Sequence, residues 1–307
     1  MWKDSLMPGL NHKDFAVSDL QEMARQIRRD IIKMLMISQS GHSGGPLGLA
    51  DIFSCLYFKI LRYDTVNVTW PERDYFFLSA GHLAPVWYAT LARAGFYPLS
   101  EMSTLRKING RLQGHPAPWY THGLPGIEIA SGSLGQGMSI AVGCALGLRM
   151  DRKLNRVVVL HGDGELDEGQ VWEGIMTAGH YKLDNLTAIV DRNFCQIDNR
   201  TDKVMELEPL ADKWRSFRWN VIECDGNNAE EFLSAFAEAR NFKGKPSVVI
   251  AKTFMGKGVS FMEDDYRWHG VPPSIEQGKQ ALSELAPTRF GDFIEFEWEK
   301  KVPEVVK

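Results

Sequence analysis

The feature that most constrains this 307-residue chain is a series of short apolar runs alternating with helical patterns. Residues 75–78, 156–160, 186–191, 220–225 and 247–252 are β-rich, and helical patterns at 82–94, 135–150, 168–181 and 229–240 separate them. Strands that are apolar nearly throughout belong in a sheet covered on both faces, and strands alternating with helices pair in parallel. The expected fold is α/β, a doubly wound, mostly parallel sheet with helices on both faces. Upstream, Leu20, Met23, Ile27, Ile31 and Met34 recur at helical spacing within 18–38. Ser18 and Asp19 precede them as cap and first-turn acid, which predicts an amphipathic helix. The turn-rich GHSGGPLG (41–48) leads to a second helix over 49–61. No linker or repeat interrupts the pattern, so residues 1–270 are expected to form one domain and 271–307 a tail.

Composition narrows the function classes. At 44% apolar and 24% charged residues, the chain can bury a sizeable core. A net charge of −4 leaves no broad basic face for nucleic acid or an anionic membrane. Cys55, Cys144, Cys195 and Cys224 form no CxxC pair, which argues against a zinc ribbon or disulfide framework and fits a reducing cytoplasm. The opening MWKDSLMPGLNHKD carries charges and a proline where a signal peptide has an apolar run, and no stretch approaches the ~18 apolar residues of a membrane helix.

The sharpest motif is VVVLHGDGELDEGQVWEG (157–174), an apolar strand ending in Gly162-Asp163-Gly164 just before a helix. Open α/β sheets bind ligands at the carboxyl ends of their strands, where a glycine lets a backbone N–H approach a phosphate closely. Asp-Gly alone reads as a turn. The next predicted strand, however, ends in VDRNFCQID (190–198), so Asp163, Asn193 and the Cys195 carbonyl could face one crevice. That sparse oxygen set suits magnesium, which relies on one or two side chains plus phosphates and water. Cys195 reads as a backbone ligand rather than a reactive thiol, since no basic residue adjoins it closely enough to activate it. Of the eight histidines, His42, His82, His115, His122 and His269 lie in loops beside Gly, Pro or Thr. Singly these read as solvated or capping residues, but together they suggest a polyhydroxylated, anionic pocket.

A GDG followed about 30 residues later by an Asn-containing strand end resembles the thiamine-diphosphate motif, and the chain resembles transketolases over roughly residues 18–275. GHSGGPLG, SAGHLAPVWYA (79–89), QGHPAP (113–118), ASGSLGQGMSIAVG (130–143), HYKLDNL (180–186), KGKPSVVIAKTFMGKGVSF (243–261) and WHG (268–270) carry the resemblance. It implies the diphosphate-binding (PP) domain, with thiamine diphosphate held through Mg2+, or Ca2+ or Mn2+, on Asp163, Asn193 and Cys195. It also implies cofactor contacts from His82, Gly132, Leu134, Gly164, Asn193, Ile197 and His269, and catalytic roles for His42, His115 and His269 at the substrate's hydroxyls. Glu168 is implied at a subunit interface, whereas Glu165 and Asp167 are expected to face solvent. His161 and His180 are expected to be structural, and His122 matches no family position.

Full-length transketolases continue into a pyrimidine-binding domain that supplies the activating glutamate and most of the grip on the substrate phosphate. Residues 271–307 are too few for another domain. The resemblance therefore implies the N-terminal subunit of a split transketolase, completed by a C-terminal partner in an α2β2 hetero-oligomer and acting on sugar phosphates. Ala117, Asn199 and Met255 depart from the family pattern, and Ala117 bears most on substrate choice. Rival readings are the α chain of a 2-oxo-acid dehydrogenase, a 1-deoxyxylulose-5-phosphate synthase-like chain, and a noncatalytic homologue that kept the cofactor site.

Overall fold

A computed structural model describes residues 15–299. The opening segment expected to lack a signal sequence, residues 1–14, lies outside them. The order of elements is α1 (Val17–Ser38), α2 (Gly44–Gly48), α3 (Ala50–Cys55), β1 (Tyr75–Leu78), α4 (Ala84–Arg93), α5 (Gln136–Met150), β2 (Val157–Gly162), α6 (Gly169–Tyr181) and β3 (Leu186–Arg192). There follow α7 (Thr201–Val204), α8 (Leu210–Ser216), β4 (Asn220–Asp225), α9 (Ala229–Asn241), β5 (Ser247–Lys252) and α10 (Ile275–Glu284).

All five strands are parallel, in the order β1-β2-β3-β5-β4. Because side chains alternate across a strand, each strand feeds two cores. Leu78, Val158, Leu160, Ile189 and Val249 pack with α1, α3, α4 and α9 on one face. Phe77, Val157, Val159, Ala188, Val190 and Val248 pack with α5, α6 and α8 on the other. Among the described residues, no helix is long and apolar enough to cross a membrane.

Two expectations about α1 are corrected. Its cap is Ala16 rather than Ser18, and Asp19 accepts the Ala16 N–H at 2.9 Å, so the acid acts one turn inside the helix start. Nor does the helix keep a wet face beyond its first turns, since Arg28, Arg29, Asp30 and Lys33 are all buried while Ser18 and Gln21 stay exposed. Their charges are matched by distant partners: Arg93 grips Asp30 at 2.6 Å, and the segment after α10 brings Asp292 to Arg29 and Lys33 and Glu299 to Lys33. Beyond residue 270 the chain thus folds back along α1, with α10 placing Gly278 against Met36. The second predicted helix, over 49–61, arrives as α3 followed by a π-helical turn over Leu56–Ile60, and α2 forms within the segment expected to be only a turn.

Candidate active site

β2 and β3 are adjacent, and their register pairs Gly162 with Asp191, so the GDG turn and the DRNFC segment leave the sheet side by side. Between these ends and the loops after α1, after β1 and around residue 269 lies a cavity of about 260 Å³. Every residue expected to touch cofactor or metal lines it: His82, Gly132, Leu134, Gly164, Asn193, Ile197, His269, Asp163 and Cys195. A larger hollow of about 580 Å³ beside α1 and α4 is mainly apolar and gathers none of them. Chemistry, rather than size, therefore marks the smaller one as the site.

The metal question turns on donor chemistry. Asp163 is 1% exposed; Oδ2 accepts from the Phe194 N–H at 2.7 Å and from Arg192 at 3.0 Å, and Oδ1 from the Gly164 N–H at 2.8 Å. Asn193 is turned by donating to Asp191 at 2.8 Å while its Oδ1 accepts the Cys195 N–H at 2.9 Å. Asp191 is in turn held by Thr253. Burial pushes the Asp163 carboxyl up to about 6 against the opposing Arg192 charge, and Asp191 up to about 7. Two buried carboxyls that resist ionisation describe a place where a cation is favourable. Among the described residues no three His, Cys, Asp or Glu side chains gather as a metal site. The hard-oxygen set of one carboxylate, one amide and one carbonyl needs no such cluster, and it fits Mg2+. Burial pushes the Cys195 thiol up to about 12.

Three loop histidines, His42, His82 and His269, line this cavity, and a fourth, His115, lies outside its lining but close to His42. The His42 ring lies 5.2 Å from His82, 5.7 Å from His269 and 6.4 Å from His115, centre to centre, and His82 lies 5.0 Å from His269. His115 stands at the exposed rim. Burial lowers the affinity of all four for protons; the neighbouring imidazoles add to it at His42 and His82, and Arg106 adds to it at His42 and His115, with His42 brought down to about 4. Neutral imidazoles retain an acceptor nitrogen, and the buried Nδ1 atoms of His42 and His269 lack partners within the described residues. Gly132 adopts φ 135°, and a Cβ there would meet His115 at 3.0 Å, so only glycine lets the SGSLGQG segment pass. The fifth loop histidine, His122, does not join; it sits exposed near the Asn109 carbonyl. His161 is buried beneath the site, and His180 meets Tyr181 edge to face.

Glu165 corrects the solvent-facing expectation, since it is 2% exposed. Its Oε1 accepts from the Ser79 hydroxyl and, at 2.7 Å, from the Gly135 N–H. Its Oε2 takes the Gly162 N–H at 3.3 Å and lies 3.1 Å from His161 Nδ1. One carboxylate thereby joins the ends of β1 and β2 to the SLGQG loop. Ser79 and Gly135 stand 86 and 30 residues away along the chain, so no local pattern could have revealed it. Asp167 and Glu168 are exposed, Glu168 at the start of α6.

The thiamine diphosphate binding domain of transketolase matches residues 19–286. A 6-deoxy-6-sulfo-D-fructose transketolase subunit from Clostridium sp. (strain MSTE9) is 42% identical over 267 residues, covering 87% of this chain and 96% of its own. An apulose-4-phosphate transketolase subunit from Phocaeicola vulgatus is 37% identical over 276 residues, covering 88% and 95%. The crystal structure of transketolase from Campylobacter jejuni superposes with a TM-score of 0.84 at 31% identity, covering 93% of this chain but 45% of that one. The chain thus spans the length of the subunit relatives and less than half of the solved full-length enzyme. It belongs to the transketolase family, through the thiamine diphosphate binding domain.

Proposed function

We propose that the chain is the N-terminal subunit of a cytoplasmic two-chain transketolase, transferring a two-carbon ketol unit from a ketose phosphate to an aldose or aldose phosphate. The observation that carries this reading is the convergence of His42, His82 and His269, with His115 beside His42, on the cavity that Asp163 and Asn193 line.

Asp163, Asn193 and the Cys195 carbonyl would hold Mg2+, with Gly164, His82 and His269 toward the diphosphate and Gly132, Leu134 and Ile197 along the rings. When bound, thiamine diphosphate supplies an electron sink for the carbanion left by cleaving the ketose. The chain's own work is to orient and to move protons. His42, His115 and His269, neutral by burial, accept and return the hydroxyl protons of donor and acceptor through their free ring nitrogens. Leu134 and Ile197 wall the reacting centre against water. Ile197 is 64% exposed and Glu168 stands free at the start of α6, which suits a C-terminal partner chain closing over the site in an α2β2 assembly.

The subunit relatives are named for a sulfonated ketose and a ketose phosphate, so a ketose with an anionic far end is the donor class. The test is a ketol-transfer assay with thiamine diphosphate and Mg2+, on the chain alone and mixed with the separately expressed partner. Turnover only in the mixture is expected. Turnover by the chain alone overturns the two-chain reading.

A further inference from the structure

Two of the converging loops are built alike, Gly41-His42 and Gly114-His115, and one side chain lies between them. Arg106 Nη1 donates to Ser40 Oγ at 3.1 Å, and Nη2 donates to the Gly114 carbonyl at 3.3 Å. Gly114 makes room for it. A Cβ there would stand 3.0 Å from Arg106 Cζ, whereas one on Gly41 would only reach ordinary contact, 3.8 Å from Nε. The residue itself is held in an uncommon conformation, φ 55°, with its N–H donating to the Leu112 carbonyl at 2.8 Å. A non-glycine residue in the left-handed region costs of order 1 kcal/mol and persists only where its surroundings enforce it.

We propose that Arg106 is the positioning residue of the substrate-side histidines, its guanidinium tying the turn before His42 to the turn before His115 so that both rings meet the sugar in fixed register. The inference rests on the proposed function for the role of those two rings. The planar fork suits the task, since two donors diverging from one rigid group fix a separation that a flexible ammonium does not.

The same group acts by charge. His42 faces His82, His115, His269 and Arg106, with Asp163, Glu165 and Asp191 across the cavity; His115 faces His42 and Arg106. Burial is the largest cause of the weak proton affinity of His42 and His115, and Arg106 adds to it at both. The neighbouring imidazoles are neutral near pH 7, whereas a guanidinium is charged throughout. Arg106 is therefore the standing positive charge against protonation of the pair.

The experiment compares Arg106→Met and Arg106→Lys, and Ser40→Ala as a milder loss of one anchor, in the full chain. Ring-proton NMR follows His42 and His115 from pH 8 to 4, calorimetry follows thiamine diphosphate with Mg2+, and ketol transfer is measured with the partner chain. In Arg106→Met both histidines should take up protons at higher pH, and kcat/KM for the ketose should fall roughly 10²-fold, the scale of an ångström misplacement. Its acid limb should move to higher pH. Arg106→Lys should restore the titration but only part of the rate, and Ser40→Ala should lower the rate with the titration intact. Cofactor affinity should hold in all three, because Arg106 does not line the cofactor cavity. Unmoved titration together with a rate within twofold of the parent overturns the proposal, as does parallel loss of cofactor binding. If the parent pair transfers no ketol unit, the proposed function fails, while the NMR titration still decides whether Arg106 governs the two rings.

Discussion

Replacing Glu165 by alanine tests whether one buried carboxylate holds the floor of the site together. The substitution strips an acceptor from the Ser79 O–H and the Gly135 N–H, both buried, and from the longer 3.3 Å bond to Gly162. Each buried donor left unpaired costs about 1–3 kcal/mol, and the Gly162 bond adds less. Against this, the folded protein no longer has to desolvate a carboxylate. Burial works to raise the Glu165 pKa, but His161, Ser79 and Gly135 outweigh it and hold the carboxyl below its usual range, so it is charged at neutral pH. The net expectation is a loss of about 2–5 kcal/mol in urea unfolding at pH 7, followed by tryptophan fluorescence. Glu165→Gln keeps an acceptor oxygen toward Ser79 and Gly135, and should lose about 1 kcal/mol. Thiamine diphosphate affinity should fall in the alanine variant, because the SLGQG loop loses its anchor. A loss below about 0.5 kcal/mol for alanine would refute the reasoning, since that is the range of substitutions that touch nothing.

Two further outcomes follow from the buried charges of α1. Arg93→Met leaves Asp30, wholly buried, without its cation, and should cost about 3–5 kcal/mol by thermal unfolding; Arg93→Met with Asp30→Leu should recover most of it. At Asp292, burial is outweighed by bonds from Arg29, Gln26 and Lys33, which hold its carboxyl well below the unfolded value of 3.8. Its stabilisation is therefore complete above the unfolded value and lost only as pH falls through the lowered folded value, so Asp292→Asn should cost about 1–2 kcal/mol at pH 7 and progressively less below about pH 4, read from acid unfolding of the two proteins side by side.

The sheet was legible because a parallel strand covered on both faces must be apolar throughout, and RVVVL and LTAIVD can be little else. Their ends were also legible, since GDG and DRN put glycine and oxygen donors where an apolar run stops. What escaped the sequence is pairing at long range. A polar stripe on α1 looks the same whether water or Asp292 meets it, and a glutamate in a turn gives no sign that Ser79 and Gly135 will close around it. The histidines were divisible only in part. His42, His82 and His115 follow glycine and His269 precedes it, but His122 also adjoins glycine and remains outside. Loop composition names candidates, and only the topology of the strand ends selects among them.

The return of the chain onto α1 bears on how the protein comes off the ribosome. Arg29 and Lys33 are made 263 and 266 residues ahead of their acidic partners. At roughly 5–20 residues per second, about 15–50 s of synthesis pass before those partners emerge. Throughout that interval Arg29 and Lys33 lack the carboxylates that let them be buried, so the charged side of α1 can close only when Asp292 and Glu299 arrive.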